Sequence, residues 1–169
     1  MISQTYHMSS THPEQEDRAP TLGAMFRLIH SAMIQEYARW LDTTGYRDIR
    51  PAHAAVLQPL WQAPEGERLT TLASSARITK QSAGALVDAL VASGYVERIA
   101  DPDDARAIRV RLTTRGRRYA RDARAFGREL EARLAKQLGA TKVRNLRSSL
   151  DLLWKALQDD NQTKPGPRA

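Results

Sequence analysis

Apolar residues recur at steps of three and four in several stretches of the chain, the period that puts side chains on one face of an α-helix. The first stretch predicts a helix of about 20 residues with the stripe Leu22, Phe26, Ile29, Met33, Tyr37 and Trp40. Gly45 lies just past the expected end of this helix, and Pro51 is placed to begin a second one. The buried face predicted for that second helix is Val56, Leu57, Leu60 and Trp61.

Two further helices are predicted on either side of a tight turn at Ile78. The third helix covers residues 70–76 with Thr70 as its N-cap, and Thr79 caps the fourth. The inner face of the fourth helix is Ala83, Leu86, Val87, Leu90 and Val91. This face leaves Gly84 pointing outward, and Ser93-Gly94 ends the helix.

The period then changes to two, which is typical of strands. Residues 95–100 form one predicted strand, and Ile108, Val110 and Leu112 alternate with two arginines in a second. The turn-forming residues 101–104 lie between them, so we expect a β-hairpin with a loop of about seven residues.

Helical periodicity returns after Thr113. One stripe predicts a long helix that ends at Gly139: Tyr119, Ala123, Phe126, Leu130, Leu134 and Leu138. A second stripe predicts a last helix after a restart at Thr141: Val143, Leu146, Leu150, Leu153, Trp154 and Leu157. The expected fold is mainly α with a small β-hairpin wing, in the order α-α-α-α-β-β-α-α. The polar residues 1–20 and 159–169 are predicted to be disordered tails.

The segment 69–112, with its short helix, tight turn, helix and hairpin, has the layout of a helix-turn-helix followed by a wing. Such a motif presents the beginning of its second helix to the major groove of DNA. The residues expected there are Thr79, Lys80, Gln81, Ser82, Gly84 and Ala85. Lys80 can reach guanine or phosphate, and Gln81 can reach adenine. The alternative interpretation is an ordinary solvated helix face.

Residues 106–118 contain six arginines and no acidic residue. A solvated tail is the usual interpretation of such a run, but the alternating apolar residues here fix the arginines on a strand and a helix start. An arginine at a hairpin tip suits the narrow, negative minor groove. Arginines in a first helical turn oppose the helix dipole, which favours a polyanion contact. The candidate contacts are Arg106, Arg109, Arg111 and Arg115.

Composition narrows the class of protein. The 169 residues are 41% hydrophobic and 27% charged, as in a folded chain of one domain. The net charge of +7 favours polyanionic partners. The absence of cysteine excludes disulfides and thiol-based redox sensing. Because no apolar run reaches the ~20 residues that cross a bilayer and no signal-peptide pattern is present, we expect a cytoplasmic protein without membrane contact.

The chain contains no P-loop, Gly-x-Ser-x-Gly, HExxH or two-glycine dinucleotide motif. We therefore expect no enzyme activity, no cofactor and no metal site. The main alternative to a DNA-binding regulator is a basic RNA-binding module without operator specificity. A pure protein-interaction module would bind neither nucleic acid.

The segment Asp101-Pro102-x-Asp104-x-Arg106-Ala107-x-x-Val110-x-Leu112-Thr113-x-x-Gly116 closely resembles the wing signature of the MarR (multiple antibiotic resistance regulator) family. Leu72-Ala73 and the run Leu86-Val87-x-x-Leu90-x-x-x-Gly94-Tyr95-Val96-x-Arg98 are also similar to that family. The helix order matches over about residues 21–158, which we take as a single domain.

The resemblance implies an obligate homodimer that binds double-stranded DNA. The winged helix-turn-helix would occupy residues 51–118, and residues 21–45 and 119–158 would intertwine with the partner. It implies a repressor of a palindromic operator, with Arg106 entering the minor groove. Asp101 and Asp104 would orient the wing by pairing with arginine, or would only form its turn.

The sequence departs from the family pattern at two places. Gly84-Ala85 lacks a long polar side chain, and Asp103 and Ala105 stand where basic residues are frequent. These departures predict that phosphate contacts and DNA shape contribute more to recognition than is usual in the family.

The resemblance further implies a small aromatic effector bound between the dimer helices and the winged part. The candidate pocket residues are Met25, His30, Met33, Trp40, His53 and Trp61. The alternative is that they are ordinary core or helix residues.

Overall fold

The computed structural model describes residues 20–163, and the chain divides into two compact units, Met1–Pro51 and Ala52–Ala169. In the first unit, α1 spans Leu22–Thr43, and the Thr21 hydroxyl accepts a hydrogen bond from the Ala24 backbone at 3.3 Å. Gly45 has a φ of +81°, so the first predicted helix and its end are confirmed. Of the tail predicted at 1–20, residues 1–19 lie outside the described part.

A 3₁₀ turn at Pro51–His53 precedes α2, which spans Ala54–Leu60. The helix-turn-helix consists of α3 (Leu69–Ala76) and α4 (Lys80–Ala92). Two long helices complete the second unit, α5 (Thr114–Leu138) and α6 (Ala140–Thr163). The predicted residues Val56, Leu57 and Leu60 are buried, whereas Trp61 is half-buried.

The sheet has three strands in the order β1-β3-β2: β1 is Glu67–Arg68, β2 is Val96–Asp101 and β3 is Asp104–Leu112. The sequence did not predict β1, because two residues are too few to show a period. The sequence feature connected with β1 is the preceding residue, Gly66, which has a φ of +83°. A Cβ at this position would lie 2.6 Å from the Val110 carbonyl oxygen, so only glycine lets the chain pass so close to β3.

The hairpin of β2 and β3 is regular from Val96↔Leu112 to Ala100↔Ile108. Beyond that point the register shifts, and Asp101 pairs with Asp104. The seven residues 101–107, predicted to form a loop, therefore contain a tight turn at Pro102-Asp103 and a bulge on β3. We call residues 96–112 the wing.

Three predicted helix boundaries differ from the structure. Helix α3 begins at Leu69 with Arg68 as its N-cap, not at Thr70, because pairing in β1 holds Arg68 in an extended conformation. Helix α6 begins at Ala140, one residue before the predicted restart. It also continues to Thr163, so the tail predicted at 159–169 begins in helix. Its polar residues contain no helix breaker before Pro165. Residues 164–169 lie outside the described part.

The start of α5 belongs to the core of the second unit. Tyr119 is buried and packs edge-on against Tyr95, with ring centroids 5.7 Å apart. A Cβ at Gly116 would collide with the Tyr95 carbonyl oxygen, so the helix and the wing meet backbone to backbone. Residues 119–123, which we assigned to a dimerisation helix, are therefore partly core residues of the winged part.

Large apolar side chains remain exposed on both α1 and α6. On α1 they are Leu22, Met25, Phe26, Leu28, Ile29 and Met33. On α6 they are Leu146, Leu150, Leu152, Trp154 and Leu157. None of the helices in residues 20–163 is long and apolar enough to cross a membrane.

Candidate nucleic-acid interface

The turn between α3 and α4 is held by backbone geometry and by one side-chain cap. Arg77 adopts a left-handed conformation with a φ of +53°, and the Ile78 N–H donates to the Ala73 carbonyl at 3.0 Å. Thr79 is the N-cap of α4, as predicted, and its hydroxyl accepts from the Ser82 N–H at 3.1 Å. This arrangement fixes the direction in which the first turn of α4 projects.

The first turn of α4 carries the side chains that are available for contact. Lys80 and Gln81 are exposed, and neither has a hydrogen bond or ion pair within residues 20–163. The Ser82 hydroxyl lies 2.8 Å from the Thr79 hydroxyl, so these two predicted contact residues also hold each other. Ala85 is exposed and leaves room beside them.

Gly84 does not point fully outward, which differs from the prediction. It is half-buried, and a Cβ at this position would lie 4.0 Å from Leu69 Cδ2 on α3. The helical period places Gly84 outside the inner face of α4. The period of one helix does not show that Leu69 of α3 lies next to this position.

The Asp101 carboxylate organises the tip of the wing. Arg68 Nε donates to Oδ2 at 2.6 Å, Arg109 Nη2 lies 3.1 Å from Oδ1, and the Asp103 N–H donates to Oδ1 at 3.0 Å. The carboxylate is fully buried. The hydrogen bonds from Arg109 and then Arg68 hold its pKa well below the ordinary carboxyl value. Asp101 thus joins β1, β3 and the turn between β2 and β3.

Arg109 and Arg111, two of the candidate contacts, form ion pairs inside the wing. Arg109 Nη2 also lies 2.8 Å from Asp103 Oδ2, and its Nε is buried without a hydrogen-bond partner in the described residues. Arg111 Nη2 donates to Glu97 Oε1 at 2.7 Å, directly across the β-ladder. The spacing of the arginines on β3 was visible in the sequence, but their cross-strand acidic partners were not. Both arginines thus have acidic partners within the wing, and their contact with DNA stays a prediction.

Arg115 is likewise engaged within the second unit. Its Nη1 donates to the Ser93 carbonyl at 2.7 Å, and its guanidinium carbon lies 4.3 Å from the centroid of the Tyr95 ring. These contacts fasten the start of α5 to the end of α4. Arg115 is thus held in place by uncharged partners, and its contact with nucleic acid stays a prediction.

Arg106 differs from the other arginines of the wing. It lies on the bulge of β3, and its backbone N–H donates to Asp104 Oδ1 at 3.0 Å. Its side chain is exposed and has no hydrogen bond or ion pair in the described part of the chain. Asp104 thus shapes the loop backbone under Arg106 and makes no arginine ion pair there, whereas Asp101 makes two.

The residues named for an effector pocket fall in both units. In the first unit Met25, His30 and Met33 are exposed. Trp40 is half-buried between Tyr37 and Tyr46, with centroid distances of 5.8 and 5.5 Å.

In the second unit His53 is buried, and the half-buried Trp61 lies under the Arg124 guanidinium, whose carbon is 5.2 Å from the ring centroid. Ring contacts thus hold Trp40 and Trp61 in place, whereas Met25 and Met33 are exposed.

Comparison with known proteins connects this arrangement to a family. The profile of the MarR family matches residues 64–107, from three residues before β1 to the bulge of the wing. No curated protein matches the chain.

Solved structures match over most of the chain. A MarR family protein of Mycobacterium tuberculosis in complex with salicylic acid is 29% identical, with 82% of this chain and 98% of that chain covered and a TM-score of 0.62. The reduced form of MarR from E. coli is 25% identical, with 80% and 98% covered and a TM-score of 0.70. S. aureus MepR in complex with DNA has the same fold at 22% identity, with 82% and 99% covered and a TM-score of 0.67.

Proposed function

Because this chain belongs to the MarR family of DNA-binding transcriptional regulators, we propose that it acts as a homodimeric repressor of a palindromic operator and is released by a small aromatic effector. One observation carries the DNA-reading part of this proposal. The first turn of α4 and the bulge of the wing each present exposed, unengaged basic or amide side chains, while the neighbouring arginines are held inside the fold.

The first turn of α4 is suited to the major groove. Lys80 offers a cation for guanine or phosphate, and the Gln81 amide matches the paired donor and acceptor of adenine. The cap at Thr79 fixes both side chains on a rigid helix end. With small residues at Gly84 and Ala85, we assign base reading mainly to Gln81 and Lys80.

The wing is suited to the minor groove. Arg106 is the arginine of β3 that remains exposed and unpaired in the described residues, and the buried Asp101 cluster stiffens the strands beneath it. An arginine held at a hairpin tip reads the width and negative potential of the groove and not its sequence. The wing arginine therefore contributes recognition by shape.

Homodimerisation is supported by the exposed apolar residues of α1 and α6. Monomeric proteins rarely leave such stripes in water, so a second copy is the expected cover. Two copies related by a two-fold axis would present two α4 helices to half-sites about 34 Å apart, one turn of DNA.

The effector part of the proposal rests on the relative from Mycobacterium tuberculosis, which was crystallised with salicylic acid. The exposed Met25 and Met33 supply polarisable surface for an aromatic ring. An aromatic carboxylate such as salicylate is the natural first ligand to test.

Selection of bound duplexes from a random DNA pool tests the proposal. A two-fold symmetric site with half-sites one turn apart is the expected result, and salicylate should weaken binding to it. The Lys80→Gln variant should enrich no such site. Recovery of unrelated sequences, or stronger binding to structured RNA than to duplex DNA, would contradict the proposal.

A further inference from the structure

A cavity of about 640 Å³ opens beside the first turns of α5, within the second unit. Five arginines of α5 line it: Arg115, Arg117, Arg118, Arg121 and Arg124. Trp61 and the end of β3 at Leu112 complete its walls, and none of the described lining residues carries a carboxylate. Such a concentration of one charge in a concave site raises the local positive potential and attracts anions.

Two of these arginines are oriented without being neutralised. Arg117 Nη1 donates to the Leu112 carbonyl at 2.8 Å, and Arg124 Nη2 donates to the Trp61 carbonyl at 2.8 Å. A carbonyl oxygen fixes the plane of a guanidinium but carries no formal charge. The full positive charge of both side chains is therefore held in a set position at the cavity wall, which lowers the entropy cost of binding a ligand there.

Arg118 and Arg121 differ from this pair. Both are exposed, and neither has a hydrogen bond or ion pair in the described part of the chain. Their planar guanidinium groups present forks of N–H donors that match phosphate oxygens. They are free to close on a ligand that the fixed arginines already attract.

The cavity lies away from the two elements that we assign to DNA. Leu112 is at the far end of β3 from the tip: it pairs with Val96, whereas Asp104 pairs with Asp101, about 17 Å away along β2. Ser93, to which Arg115 is bound, follows the C-terminus of α4, about 20 Å from Lys80. The volume of the cavity is that of a small-molecule pocket. The position and the concave shape thus favour a small anion over duplex DNA.

We propose that this arginine cavity binds a small molecule carrying phosphate groups, of up to nucleotide size. Arg117 and Arg124 form its fixed wall, and Arg118 and Arg121 grip the phosphate oxygens. Because the cavity joins the foot of the wing to α5, a bound phosphate compound would rigidify that junction. The proposal does not depend on DNA recognition or on an aromatic effector.

Isothermal titration of the full chain at constant ionic strength tests this site with pyrophosphate, adenosine diphosphate and adenosine. Both phosphate compounds should bind with one site per protomer, and adenosine should not bind. Arg121→Gln should weaken pyrophosphate binding about tenfold, as expected for the loss of one charge-assisted contact. Arg128→Gln is the matched control, because it removes the same charge two turns along α5, outside the cavity, and should change binding less than about twofold.

Three results of the titration would overturn the proposal. The first is that neither phosphate compound binds at ~1 mM. The second is an equal loss of binding in the two variants, which would show only general charge attraction. The third is a loss of operator affinity in Arg121→Gln as large as its loss of pyrophosphate affinity, which would place Arg121 on the DNA surface. A wild-type protein that binds pyrophosphate but no operator would contradict only the proposed function.

Discussion

Arg68 Nε and Asp101 Oδ2 lie 2.6 Å apart and join the two-residue strand before α3 to the turn of the wing. The helix-turn-helix and the wing are therefore linked through a buried carboxylate as well as through the backbone. Arg109 approaches the same carboxylate from β3. Removal of either guanidinium would leave a buried charge with fewer partners, so the three residues are expected to act as one unit.

The depressed pKa of Asp101 predicts a pH dependence of stability. A carboxyl whose pKa is lower in the folded protein stabilises the fold above its unfolded pKa of about 4. This contribution is lost as pH falls through the folded pKa. In urea unfolding, Asp101→Asn should therefore be less stable than wild type at pH 7, and the difference should shrink as the pH drops below about 4.

Asp88→Asn is the control for this experiment. It removes an exposed ion pair with Arg98 and should change the stability little at either pH. A constant difference between Asp101→Asn and wild type at all pH values would show that the charge of Asp101 is not the stabilising property.

Arg106→Ala should lose DNA affinity and Arg109→Ala should lose thermal stability, although the two residues lie close together on β3. Arg106 makes no side-chain hydrogen bond or ion pair in the described residues, so its loss should leave the melting temperature unchanged and weaken binding, most on operators with A·T-rich flanks. Arg109 pairs with two carboxylates, so its loss should lower the melting temperature. Thermal melts and fluorescence anisotropy with two flanking sequences measure both effects. Equal melting temperatures for the two variants would contradict the assignment.

The helices could be predicted because long apolar stripes repeat many times, as in α1, α5 and α6. The strand β1 could not, since it has two residues and depends on Gly66 passing close to Val110. The same limit applies to the arginines. The sequence shows that Arg109 and Arg111 alternate with apolar residues, but the acids that bind them come from β2 and the turn. Which arginine stays free is decided by pairing across the hairpin.

Gly116→Ala should destabilise the protein strongly. The added Cβ would collide with the Tyr95 carbonyl, and neither α5 nor β2 can move without disturbing the buried tyrosine pair. Overpacking of this kind costs ~1–3 kcal/mol or more. Chemical denaturation should show the loss. Gly127→Ala, on the same helix with nothing within 4 Å of the added Cβ, should be neutral or stabilising. Similar losses for both variants would show that helix geometry, and not the contact with Tyr95, requires glycine.

Gln81→Ala should relax specificity without affecting the fold. The side chain is exposed and unengaged in the described residues, and the cap of α4 comes from Thr79. Loss of a paired amide contact should cost ~1–3 kcal/mol at one operator position and little elsewhere. Binding to single-base operator variants locates that position. A uniform loss on every sequence would make Gln81 a phosphate contact.

Gly84→Ala should stabilise the protein and leave operator affinity unchanged. Glycine inside a helix costs about 0.8–1.0 kcal/mol relative to alanine, and the new methyl group would meet Leu69 Cδ2 at an ordinary contact distance. Because this methyl group extends towards α3, it should not obstruct an approaching duplex. Thermal melts should shift upward by a few degrees, and anisotropy at fixed salt should give equal affinities. A stabler variant with weaker operator binding would mean that DNA approaches α4 too closely for any side chain at position 84. The helix would then retain glycine for recognition at the expense of stability.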